Sequence, residues 1–142
     1  MKRNLLTTIV LAVLTIGMSA SCNKDTNGTE SSGAYNVVGT WEVNKITFGD
    51  STGPKETEII PSEYHAYFIF NADGSVYEKQ THGSEEHTSP KATWSLSGDV
   101  ITVNDGELSY MKILKCTDVE LILHQTFPND DEFQEYEMTR AK

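Results

Sequence analysis

The chain has 142 residues, a formal net charge of −10 and only two cysteines, Cys22 and Cys116. An acid excess of this size argues against nucleic acid or any other polyanion as a partner. Two cysteines rule out a framework of several disulfides, and zinc sites built on several thiolates with it.

The first four residues, "MKRN", are basic, and residues 5–18 are almost continuously apolar. That is a signal-peptide pattern, with an apolar run too short to span a bilayer comfortably as a permanent helix. Ser19, Ala20 and Ser21 then lead into Cys22. Export and cleavage before Cys22 make residues 1–21 a signal peptide; its loss removes Lys2 and Arg3 and no acid, leaving the mature chain two units more negative. The segment "SASC" resembles a bacterial lipobox, in which the cysteine becomes the acylated first residue of a lipoprotein. Ser19 stands where such boxes usually carry leucine. The alternative is ordinary cleavage near Ala20 with Cys22 left as a free thiol. Lipid attachment at Cys22 implies anchoring to the cell envelope, at the outer membrane or the cell surface, and "NKDTNGTE" resembles short signals for surface export.

After Cys22 come Asn, Asp, Gly, Ser and Thr with few large apolar side chains, so residues 22–35 read as a lipidated cysteine and flexible tether. Residues 36–142 suffice for one domain. Within it short apolar runs alternate with turn chemistry, and no window sustains the 3.6-residue period of a long helix. The pattern predicts eight strands near 40–48, 65–71, 76–81, 91–97, 100–104, 107–114, 119–125 and 132–139.

"NADGS", "SGD", "NDG" and "KCTD" are short, polar links suited to hairpins. A meander of eight strands buries both its edges only by closing, which predicts an all-β, antiparallel, up-and-down barrel; an open sandwich is the other arrangement. Two links are longer. Residues 49–64 carry Ile59 and Ile60 beside Pro61, either folded back as a plug or offered as a binding rim. Residues 82–90, "HGSEEHTSP", read as a loop too polar to pack.

Trp41 with Val43, Phe68 with Phe70, Trp94 with Leu96, Tyr110, and Tyr136 with Met138 form the expected inward face. Trp41, Phe68, Phe70, Trp94, Tyr110 and Tyr136 are therefore the candidate ligand contacts, with Ile59 and Ile60 as rim candidates. Eight strands mark the size at which a barrel is either filled by its own side chains or hollow enough for a small molecule.

Gly39-Thr40-Trp41, the eight short strands and the long first connection resemble the lipocalin superfamily. The likeness is closer to the lipocalin-like domains of Bacteroidota lipoproteins, through the "GTW" start, residues 70–76 ("FNADGSV") and residues 93–102 ("TWSLSGDVIT"). The resemblance spans residues 36–140. It implies a lipocalin-like barrel, and it places Arg140 across Trp41 as a cation–π partner, the alternative being a solvated chain end.

His82, Glu85, Glu86 and His87 share one loop, and imidazole with carboxylate is zinc-ligand chemistry. No group is evident to orient the imidazoles, so a solvated acidic turn and no metal is the expectation. No Gly-x-Ser-x-Gly or Cys/His framework points to nucleophilic catalysis, and no glycine loop before a helix cradles phosphate. The expected function is not enzymatic and uses no cofactor: a cell-envelope lipoprotein whose barrel binds a small, mostly apolar or uncharged molecule. The alternative is a filled barrel that contacts an envelope protein or glycan. Cys22→Ser should move the protein from the membrane to the soluble fraction, because the acyl chains supply the anchoring energy; fatty-acid labelling should mark the wild type and not the variant.

Overall fold

The computed structural model describes residues 35–127 and 131–142. The expectations for the signal peptide, for Cys22 and for the tether up to residue 34 lie outside these residues. Among the described residues ten strands form: β1 (Gly39–Asp50), β2 (Glu56–Ile59), β3 (Tyr64–Phe70), β4 (Ser75–His82), β5 (Glu85–Thr88), β6 (Ala92–Ser97), β7 (Val100–Asn104), β8 (Leu108–Cys116), β9 (Glu120–Thr126) and β10 (Glu132–Arg140). Every pairing is antiparallel, and β10 pairs back onto β1.

The ring has eight staves, because two of them are split. β2 and β3 lie end to end along one edge of β1, residues 56–59 opposite 48–45 and residues 67–70 opposite 42–39. β5 and β6 do the same along β4. Pro61 and Pro90 sit in the two breaks, where a residue without an N–H cannot continue a ladder. The breaks are repaired locally. Ile60 N–H donates to the Asn44 carbonyl at 3.0 Å, and Ser89 N–H donates to the Glu78 carbonyl at 2.9 Å. The Glu78 N–H in turn donates to Ser89 Oγ at 2.8 Å.

The closed all-β barrel expected from the sequence is thus present, with its two long links corrected. Part of each is strand. Residues 85–88 are exposed throughout, so they pair through backbone alone and leave no apolar period to detect. Gly83 and Gly98 turn the hairpins that follow β4 and β6, each with φ of 60°, a left-handed conformation that a side chain disfavours.

Inside the ring one apolar cluster runs through all the staves and includes Val37, Trp41, Phe70, Val76, Trp94, Ile101, Met111, Leu121 and Met138. Tyr35, expected at the end of the tether, packs against it. One end of the barrel is a floor. There Trp41 Nε1 donates to the Val37 carbonyl at 2.8 Å and Trp94 Nε1 to the Asn71 carbonyl at 3.1 Å, so both indoles are buried with their N–H groups satisfied.

Arg140, at the end of β10, lies over the Trp41 ring, 4.1 Å from the centroid. Its guanidinium donates to the carbonyls of Asp118 (2.8 Å), Val38 (2.8 Å) and Asn36 (3.1 Å). The cation–π contact is therefore made, and Arg140 is no frayed end. Gly39 passes directly beneath this guanidinium. Its φ is 143°, and a Cβ at this position would collide with Arg140 Nη1.

Trp41→Ala should cost about 3–5 kcal/mol, the usual scale for deleting a buried aromatic ring. Gly39→Val should also destabilise, by about 1–3 kcal/mol, through backbone strain and displacement of Arg140. Equilibrium denaturation measures both, and a Trp41→Ala protein as stable as the wild type would contradict this packing.

A candidate ligand site inside the barrel

Strand alternation decides what points inward. β1 carries a bulge between Val43 and Lys45, which lets Val43 and Ile46 both face the interior. On β3 the inward residues are Ala66, Phe68 and Phe70; on β4 Val76 and Glu78; on β9 Leu121, Leu123 and Gln125; on β10 Tyr136 and Met138.

Five of the six expected ligand contacts are buried in this interior: Trp41, Phe68, Phe70, Trp94 and Tyr136. Phe70 meets the Trp94 ring edge-on at 5.4 Å, and Phe68 meets Tyr136 edge-on at 5.3 Å, so these rings first of all pack against each other. Tyr110 is the exception. It is 45% exposed, because Met111 and Ile113 set the inward phase of β8 and put Tyr110 on the outer face. The expected rim pair also divides. Ile59 is 74% exposed, whereas Ile60 packs against the core cluster, as neighbouring residues in extended chain must face opposite ways.

Among the described residues, Glu78 and Gln125 are buried as whole residues despite their polar side chains, and the Tyr136 phenol is buried with them. Glu78 sits opposite Phe68 in the β3–β4 register. It is among the residues that line a cavity of about 10 Å³, with Val43, Ile46, Ala66, Phe68, Gln80 and Tyr136, and the surface they present to it is apolar. Glu78 Oε1 has no hydrogen-bond partner among the described residues, and neither does the buried Oγ of Ser109 on β8.

Burial without a cation pushes the Glu78 carboxyl well above the ordinary carboxylate range. The Tyr136 hydroxyl donates toward Gln134 Oε1 at 2.5 Å and lies 3.3 Å from Gln125 Oε1. Its own acidity is suppressed, by burial first and by the neighbouring Glu78 charge second. The interior thus has an apolar, ring-packed floor and, above it, a group of polar side chains containing one acid.

Neither Glu78 nor Gln125 stood among the expected site residues. The signal was present for both. In "SVYEKQ" Glu78 holds the same phase as the buried Val76, and in "LILHQT" Gln125 holds the phase of Leu121 and Leu123. An inward-facing acid on a strand is easily read as an outward one, since burial of an unpaired carboxyl is costly and uncommon.

The polar residues of the β4–β5 hairpin take separate partners. His82 stacks on Tyr64 with ring centroids 4.0 Å apart, while Glu86 pairs with Lys79 at 2.7 Å. Among the described residues no group of three His, Cys, Asp or Glu side chains is placed to hold a metal ion. The half-buried Cys116 is a thiol whose acidity burial suppresses.

A closed eight-stave antiparallel barrel with one end sealed by an arginine-capped tryptophan defines the class of this protein. Comparison with known families matches residues 37–123, more than half of the chain, to the lipocalin-like domain, and the chain belongs to that family. No curated protein matches it.

Because the folded state raises the affinity of Glu78 for its proton, this group favours folding fully at low pH, and that contribution is lost as pH rises from about 4.5 toward the folded value. Glu78→Gln, which cannot ionise, should remove this slope. Urea denaturation of both proteins between pH 4.5 and pH 8 should show the variant gaining relative stability as pH rises; parallel curves would mean that Glu78 is not buried as described.

Proposed function

We propose that this protein is a lipid-anchored component of the cell envelope, at the outer membrane or cell surface, whose barrel holds a small, mostly apolar or uncharged molecule. The lipocalin-like fold supports the reading, as does the sequence pattern ending at Cys22. The observation that carries it is the division of the interior: a sealed floor, then polar groups within the barrel wall where apolar side chains would pack at lower cost. The role is binding rather than catalysis, with no cofactor.

A second reading rests on packing. Trp41, Trp94, Phe70 and Met138 fill the floor, and the cavity beside Glu78 has about 10 Å³. Together with the exposed Ile59, this favours a structural module that contacts an envelope protein or glycan through its outer surface.

Native mass spectrometry of the protein purified from its own source separates the two. Ligand carriage predicts a reproducible non-covalent mass increment that disappears on denaturation. A protein whose native mass equals that of the lipidated chain alone, under conditions that preserve weak complexes, favours the module.

A further inference from the structure

Exposed apolar side chains are not spread evenly over the barrel. Among the described residues the large ones are Ile59, Leu108, Tyr110, Leu114 and Val119, and all but Ile59 lie on β8 or in the turn after it. Three stand in one row. Met111 and Ile113 set the inward phase of β8, so Leu108, Tyr110, Lys112 and Leu114 project outward. The row spans about 20 Å of extended strand. Its outward neighbours, Val100 and Thr102 on β7 and Ile122 on β9, are half-buried, so the row forms a ridge. A bulge leaves Leu114 out of the β9 register, a device that re-aims a side chain.

This ridge is complementary to its own reversal. Leu108 and Leu114 lie equally far from the midpoint at Met111, and Tyr110 and Lys112 lie inside them at equal spacing. A second copy laid antiparallel on the ridge, about a two-fold axis at that midpoint, sets Leu108 against the partner's Leu114 and Tyr110 against the partner's Lys112, each twice over. That is what an isologous interface requires. The tyrosine–lysine contact is a cation–π pair, and Lys112 is free to make it, since its ion pair with Asp99 is exposed and long at 3.6 Å.

Charge favours the same face. A chain of net charge −10 repels its copy over most of its surface. Beside the ridge the charges are matched, Lys112 with Asp99 and Lys115 with Glu120. The acid excess lies elsewhere, as in Glu56, Glu58 and Glu63 around Ile59, which makes that isoleucine a poor contact between copies.

We infer that two copies of this chain associate through the outer face of β8, as a two-fold symmetric dimer in the register given above. Such a dimer is independent of whether the interior carries a ligand. One ridge buries less than the roughly 800 Å² per partner of a standard stable interface, so the dimer is weak. Confinement to a membrane surface, as proposed above, raises the local concentration and favours it.

The test is sedimentation equilibrium of the mature chain carrying Cys22→Ser, in which neither acyl groups nor a Cys22 disulfide can drive association. From about 10 μM to about 1 mM, the range suited to a weak interface, it should pass reversibly from monomer toward dimer. Leu108→Lys and Leu114→Glu, both at exposed positions and both checked by melting temperature, should each weaken association about tenfold or more, because each sets a charge against the partner's leucine. An equimolar mixture of the two should recover it: one pair of opposing positions then holds opposite charges, and the other keeps its two leucines. Ile59→Ser should change nothing. In the unsubstituted ridge, NMR shifts that depend on concentration should map to the outward residues of β8.

A monomer at every concentration would overturn the inference, and so would a dimer indifferent to Leu114→Glu or weakened by Ile59→Ser. Loss in both variants without recovery in their mixture would overturn it as well, because the ridge would then not meet its own reversal. Concentration-dependent shifts away from β8 would place the contact on another face and contradict it without any variant.

Discussion

The structure depends on one guanidinium. Arg140 ties three segments distant in sequence: it bonds the carbonyls of Asn36 and Val38 before β1, the carbonyl of Asp118 between β8 and β9, and it covers the ring of Trp41. Its backbone N–H adds a bond to the Val119 carbonyl at 2.9 Å. The same residue ends the strand that closes the ring against β1. Closure matters because an open meander would expose two edges of unpaired N–H and C=O groups, whereas a closed one has none. A cation–π contact contributes about 0.5–2 kcal/mol, and the three charge-assisted bonds fix where the ring closes and what seals its end. Gly39 belongs to the same device, since a side chain there would displace the guanidinium.

With the floor fixed, the interior is layered. Two indoles and the phenylalanines between them occupy the sealed end, their polar N–H groups satisfied by backbone. Above them the wall admits Glu78, Gln125 and Tyr136, and the hydrogen-bonded tyrosine and glutamines contrast with the unpartnered acid. Glu78 is also where a split stave is mended, because its backbone N–H and carbonyl both bond Ser89, next to the Pro90 break. Its main chain is thus held firmly while its side chain bears the desolvation cost.

Much of this was legible in the sequence, for identifiable reasons. Alternation and turn chemistry gave the closed meander and the buried Trp41, Phe68, Phe70, Trp94 and Tyr136, because inward apolar residues repeat every second position. The split staves were hidden. β5 buries nothing, so only backbone pairing reveals it, and β2 shows a single apolar residue, Ile59, which faces out. Tyr110 has the aromatic character of a core residue, but Met111 holds the inward phase of that strand. Glu78 and Gln125 were hidden by their polarity, although their neighbours two residues away carry the phase that buries them.

The account turns on Glu78 being an enclosed acid that burial makes hold its proton more tightly than an exposed glutamate does. NMR titration of the glutamate side-chain carboxyl carbons reads that directly, residue by residue. The account predicts that the Glu78 carbon keeps the shift of a protonated acid after the exposed glutamates have ionised, and moves only at distinctly higher pH. A Glu78 resonance that titrates together with those of the exposed glutamates would place its carboxyl in water and contradict the interior described here.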